Sequence, residues 1–150
     1  MKPTRLSIAA ALLLGLAGPL AAKDSGYFVV RLGADTTSVE GYTRTPTHIE
    51  VDQVGRAPRV TKRHFTYDLD ARGFVTRYSL VVTAPGAAAD APPLQKIDGT
   101  CTADSIITVA TRGANVQTLR VALPAGSVPI ATSSPWVMYE QALMRLAAGK

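Results

Sequence analysis

The chain has 150 residues, with 16 Lys and Arg against 11 Asp and Glu, a formal charge of +5 and one cysteine. That length suits one domain with a modest core of its own. The lone Cys101 excludes an intrachain disulfide and leaves a buried small hydrophobe, or failing that a thiol open to an intermolecular bond.

Residues 1–22 read MKPTRLSIAAALLLGLAGPLAA. Lys2 and Arg5 make a basic start, Ile8 to Leu16 an apolar stretch, and Leu20-Ala21-Ala22 a small-residue end. This is the layout of a secretory signal peptide cleaved after Ala22. The apolar run is shorter than the ~20 residues a bilayer span needs, and Gly18-Pro19 interrupts it. Lys23 stands where a lipoprotein would need cysteine. The expectation is therefore an exported chain, periplasmic or secreted, that does not span the membrane once the signal is removed. Removal takes two basic residues and no acid, leaving 14 against 11 and a charge of +3. Such mild basicity argues against a nucleic-acid partner.

Residues 23–150 read as a single β-rich domain. From Tyr27 to Thr83 apolar and polar residues alternate with period two, the pattern of half-buried strands. YFVVRL and TTSVEGYT flank Gly33-Ala34-Asp35, a hairpin. A four-residue loop there sets Val29 against Glu40 and Tyr27 against Tyr42, whereas a three-residue loop flips the register. A short strand follows at His48 to Val54, and Pro58 breaks the pattern because it cannot donate to a ladder. Phe65, Tyr67 and Leu69 share one face, with His64, Thr66 and Asp68 on the other. Asp70-Ala71-Arg72-Gly73 supplies a turn, and Phe74, Thr76, Tyr78, Leu80 and Val82 then line one side of the next strand.

Residues 84–104, rich in proline and small residues, read as a loop or linker. SIITVAT and VQTLRVAL flank Arg112-Gly113-Ala114-Asn115 as a third hairpin, with Ile107 and Val109 expected to pair with Leu119, Val121 and Leu123 on the inner face. A helix follows at about 135–148, with Ser134 as N-cap, Pro135 at its first position and Gly149 closing it. Trp136, Tyr139, Leu143 and Leu146 recur at helical spacing and form its expected core face, opposite Gln141 and Arg145. The fold class expected is mainly β: an antiparallel meander forming a curved sheet or sandwich, with this amphipathic helix packed on it.

Signatures of chemistry are sparse. The two histidines lack metal-site spacing, and there is no glycine-rich phosphate loop or GxSxG elbow. No metal, cofactor or catalytic residue is assigned. Gly126-Ser127 stands in a connection without an evident base. Asp35 belongs to a turn tip, and Glu40 to the more polar side of its strand with Thr36, Ser38 and Tyr42. Arg56, Arg59, Lys62, Arg63 and His64 form a basic run that alternation splits between two faces, as suits a charge-protected edge.

Leu32-Gly33-Ala34-Asp35-Thr36, Glu40-Gly41-Tyr42-Thr43-Arg44, Arg56-Ala57-Pro58-Arg59 and Leu69-Asp70-Ala71-Arg72-Gly73, with Trp136 to Gln141, resemble a family of exported, uncharacterised bacterial proteins. The resemblance implies an exported antiparallel β-protein with no activity or catalytic residues to transfer. It also implies a short or truncated form, since members of that family continue into further β-structure.

Two functions are compatible with these readings. The first is a non-catalytic envelope module, binding or structural, with an apolar small molecule or an envelope protein as partner. Its ligand-binding candidates are Phe65, Tyr67, Tyr78, Leu80 and Trp136, and its polar candidates are Asp35, Glu40, Tyr42, Arg44, Arg59 and His64. A curved sheet with a helical cover is also the plan of exported apolar-ligand carriers, an analogy of fold alone. The second is a hydrolase using Asp35 and Glu40 with His64, which requires the three side chains to converge.

Overall fold

The computed structural model describes residues 23–56, 58–124 and 135–149. Residues 1–22, expected as a signal peptide, Ser134 and Gly126-Ser127 lie outside the described residues. The described strands are β1 (Asp24–Leu32), β2 (Asp35–Arg44), β3 (His48–Gly55), β4 (Thr61–Leu69), β5 (Val75–Thr83), β6 (Gln95–Cys101), β7 (Ser105–Arg112) and β8 (Asn115–Ala122). One helix, α1 (Trp136–Ala147), follows them. The strands form one eight-stranded antiparallel sheet in sequence order, from β1 at one edge to β8 at the other. The expected meander with a helix packed on it is the observed architecture.

Short turns make this order. Gly33 (φ 62°) and Gly113 (φ 57°) take the left-handed backbone that two-residue hairpin loops need. Leu32 therefore pairs with Asp35, and Arg112 with Asn115. The first loop is tighter than either expected form, and a bulge between Val30 and Arg31 then sets Phe28, not Val29, against Glu40. In the last hairpin the tight loop sets Ile106 against Val121 and Thr108 against Leu119. Ile107 and Val109 consequently face Arg120 and Thr118, opposite to the face expected for them. At the β4–β5 turn Asp70 accepts hydrogen bonds from the N–H groups of Arg72 and Phe74, each at 2.9 Å. A bulge between Asp68 and Leu69 changes the parity beyond it, so Val75, not Phe74 or Thr76, joins Tyr78 and Leu80 on the inner face.

The stretch 84–104, expected as a linker, contains β6. Leu80 pairs with Ile97 and Tyr78 with Gly99. Proline and glycine mask this strand in the sequence. Gly99 is needed there because a Cβ would collide with the Tyr78 ring, which crosses β6 to bring its hydroxyl 2.9 Å from Thr108 Oγ1 on β7.

The core lies between α1 and β3–β5. Ile49, Val51, Phe65, Tyr67, Leu69, Val75 and Leu80 face Val137 and Met138 of the helix. Trp136, Tyr139, Leu143 and Leu146, expected to face inward, are exposed instead, Leu143 at 67% and Leu146 at 75%. The helical period is as expected and the rotation is reversed. Arg145 causes part of this reversal, its guanidinium lying 3.6 Å from the centroid of the Phe74 ring. Pro135 occupies the N-cap position with extended backbone and no side-chain cap of its own.

Candidate functional site

Four of the five apolar candidates converge. Phe65 pairs directly with Leu80, and Tyr67 with Tyr78. The Phe65 and Tyr67 rings stack at 6.3 Å, and those of Tyr67 and Tyr78 at 6.2 Å. Of these two, Tyr67–Tyr78 is the cross-strand pair, and such a pair stabilises a sheet by about 0.2–1 kcal/mol. Phe65, Tyr67 and Leu80 are buried in the same cluster as Val137 and Met138, with Tyr78 packed at its margin. These side chains are the floor on which the helix sits. Trp136 does not join them; it tilts against Tyr139 at 5.3 Å on the outward side of α1.

Glu40 is the central polar group of this face. It lies on the inner side of β2 and is fully buried, not on a polar outer side. Its Oε1 accepts the backbone N–H of Trp136, and its Oε2 accepts the Gln53 side-chain amide at 2.9 Å. Gln53 Oε1 in turn accepts Arg63 Nη1 at 2.9 Å. The first-turn N–H groups of a helix have no partner within it, and α1 brings neither a side-chain cap nor an acid in its first turn. A carboxylate from β2, 96 residues away, supplies both. Burial pushes the Glu40 carboxyl above its usual range, while Gln53 and the N–H groups of Trp136 and Val137 pull it down.

Arg44 forms a second clamp, pairing with Asp24 on β1 and, at 3.0 Å, with Glu140 on α1. The Arg44 guanidinium lies over the Tyr42 ring, which stacks on Phe28 at 5.6 Å, and burial followed by the nearby acids Glu140 and Asp24 raises the tyrosine hydroxyl's pKa. Gln53 was not singled out from the sequence, Arg63 stood there only as part of the basic run, and Val137 and Met138 only within the Trp136–Gln141 stretch. The usable signal was parity, because Glu40, Gln53 and Arg63 all fall on inner positions of neighbouring strands.

The remaining polar candidates are dispersed. Asp35 is exposed at the first hairpin, and Arg59 is exposed in the β3–β4 connection. His64 projects from the opposite face of the sheet, where Nδ1 meets Asp52 Oδ1 at 2.9 Å and Nε2 lies 3.6 Å from Glu50. Asp52 and Gln53 are consecutive strand residues and point to opposite faces, so His64 and Glu40 are separated by the sheet itself. Asp35, Glu40 and His64 do not converge. On this outer face His48 also meets Asp68 at 2.8 Å. Beside it runs a groove of about 330 Å³ lined by Thr66, Asp68, Arg77, Ser79, Asp98 and Thr100. Among the described residues no cluster of three or more His, Cys, Asp or Glu is arranged to hold a metal ion. Cys101 is half-buried, and burial raises its thiol, which disfavours the reactive thiolate.

No helix among the described residues is long and apolar enough to cross a membrane. No protein-family model, curated protein or solved structure matches the chain. The reading of its function therefore rests on its own geometry.

Proposed function

We propose that the protein is an exported, non-catalytic binding module of the envelope whose ligand is an apolar small molecule held against the outward stripe of α1. The observation that carries this reading is that stripe: Trp136, Tyr139, Leu143 and Leu146 are all exposed on one side of a helix whose other side already fills the core. Contiguous exposed apolar surface marks interaction sites, and the Trp136–Tyr139 pair offers a rigid aromatic platform for it. The groups best suited to chemistry have structural partners. Glu40 caps the helix, Arg44 clamps it, and Asp70 closes a turn.

Trp136 is the only tryptophan in the chain and so reports on its own site. Fluorescent fatty acyl probes are expected to bind the purified chain with a blue shift of Trp136 emission. Leu143→Ser is expected to weaken binding with little change in melting temperature. Absence of binding, or binding that Leu143→Ser leaves untouched, ends this assignment.

A second reading has one observation in its favour, the contact of His64 with Asp52 and Glu50. Acid–histidine hydrolysis on the outer face would use those carboxylates in place of Asp35 and Glu40. Ester hydrolysis that His64→Ala abolishes is the result that would favour it over the binding module.

A further inference from the structure

The two edges of the sheet differ in how they are protected. Edge strands expose unpaired N–H and C=O groups, and proteins blunt them with charges, prolines and bulges. β1 also exposes Tyr27, Val29 and Leu32 but has such devices: a bulge between Val30 and Arg31, a charge near each end, and Asp24 tied to Arg44. β8 has almost none. It runs eight residues, NVQTLRVA, without proline and in unbroken register with β7. Every one of its residues is exposed, including Val116 at 63%, Leu119 at 60% and Val121 at 44%. Arg120 is its single charge, and Asp104 lies 3.9 Å from that guanidinium.

We propose that β8 pairs antiparallel with β8 of a second copy of this chain about a two-fold axis, joining two sheets into one. The strand's own sequence favours a copy over a foreign strand. With Leu119 on the axis, Leu119 meets Leu119 of the copy, Val121 meets Gln117, and Arg120 meets Thr118, so no like charges oppose. A slip of two residues in one direction sets Arg120 against itself, which like-charge repulsion disfavours; in the other it sets Thr118 against itself and Leu119 against Gln117, which loses the apolar pair on the axis. A slip of one residue turns the apolar row onto the wrong face. Because Asp104 already stands near Arg120, the edge does not call for an acidic peptide. A two-fold pairing closes on itself, and the bulge and end charges of β1 disfavour growth of the sheet at its other side. This inference concerns β8 and is independent of the ligand assigned to α1.

The seam of two eight-residue strands is small for a stable interface. A reversible dimer is therefore expected, with a dissociation constant of about micromolar or weaker. Sedimentation velocity of the purified chain over a concentration series reads this directly. Leu119→Lys sets two ammonium groups face to face at the axis and is expected to weaken the dimer at least about tenfold, with unchanged circular dichroism. Register is read by cross-linking in a Cys101→Ser background. On the axis, Cβ atoms of opposed residues stand about 4.5–5.5 Å apart, so Leu119→Cys forms an intermolecular disulfide when a mild oxidant is added to take up the two electrons. Val116→Cys does not, because Val116 meets Ala122 of the copy. A chain that stays monomeric at every concentration overturns the proposal and leaves the edge to a strand from another protein. A dimer indifferent to Leu119→Lys, or equal cross-linking from both cysteine variants, overturns it as well.

Discussion

Glu40 carries a carboxylate sealed from solvent, with its two oxygens divided between a helix and a neighbouring strand. Replacing it with alanine leaves the Trp136 N–H and the Gln53 amide without an acceptor in a buried place. Each such orphan costs about 1–3 kcal/mol, so Glu40→Ala is expected to destabilise the chain by about 2–6 kcal/mol in urea denaturation. Glu40→Gln keeps an acceptor for the helix and is expected to cost about 1 kcal/mol. The two proteins also differ in their response to pH. Because burial raises the Glu40 carboxyl, the folded chain keeps a proton that the unfolded chain releases. Over that interval the unfolded state binds fewer protons, so stability falls as pH rises. The contribution is whole below the ordinary glutamate value and is lost through the raised one. The stability of the wild type relative to Glu40→Gln should decline across that window, and a difference that stays flat or rises refutes it. Gly99 makes a simpler test. Gly99→Ala drives a methyl into the Tyr78 ring and is expected to cost about 1–3 kcal/mol. Tyr78→Ala should remove most of that penalty in a double-mutant cycle.

At the scale of elements, α1 is set by its anchors more than by its hydrophobicity. Two apolar sets compete for the sheet, and the one with Val137 and Met138 is chosen because Glu40 holds the first turn and Arg145 lies on Phe74. Met138→Ala is therefore expected to cost about 2–5 kcal/mol, and Leu143→Ala less than about 0.5 kcal/mol. Comparable losses from the two variants in thermal unfolding would contradict this rotation. The sequence carries the helical period of α1 plainly but contains no local sign of its rotation, which depends on a carboxylate from β2. Three hairpins were readable because Gly33, Gly73 and Gly113 mark their turns, whereas the β2–β3 and β6–β7 turns contain no glycine. Register was not, because a two-residue loop or a single bulge moves every later side chain to the other face, as happens at Glu40, Val75 and Ile107. β6 was hidden by Gly99, whose lack of a side chain reads as loop until the Tyr78 ring is seen to lie over it. Of the candidate site, Phe65, Tyr67, Tyr78 and Leu80 could be grouped by alternation alone. Their role as a floor under the helix could not be read, because it depends on which face of α1 is turned toward them.

For the whole molecule, the order of the strands decides how stability is distributed. Each strand pairs with its neighbours in sequence, so the meander by itself contains hairpin contacts and little else. The helix joins remote parts: Trp136 to Glu40, Glu140 to Arg44, and Arg145 to Phe74. Its buried partners lie in β3, β4 and β5, and none of the buried core cluster comes from β8. Local opening is easiest where few apolar groups are buried and backbone hydrogen bonds face solvent. The β7–β8 end should therefore open below the free energy of global unfolding, while β3 and β4 open only with it. Native-state hydrogen exchange, run dilute enough to keep the chain monomeric, tests this directly. Amides of Ile49, Val51, Phe65 and Tyr67 are expected to be protected about a hundredfold or more beyond those of Leu119 and Val121. Met138→Ala should lower the protection of the first group and leave the second unchanged, because only the first group opens through the core that Met138 fills. Equal protection in both groups would mean that the eight strands and the helix unfold as one unit, with stability carried along the sheet instead of concentrated beneath the helix.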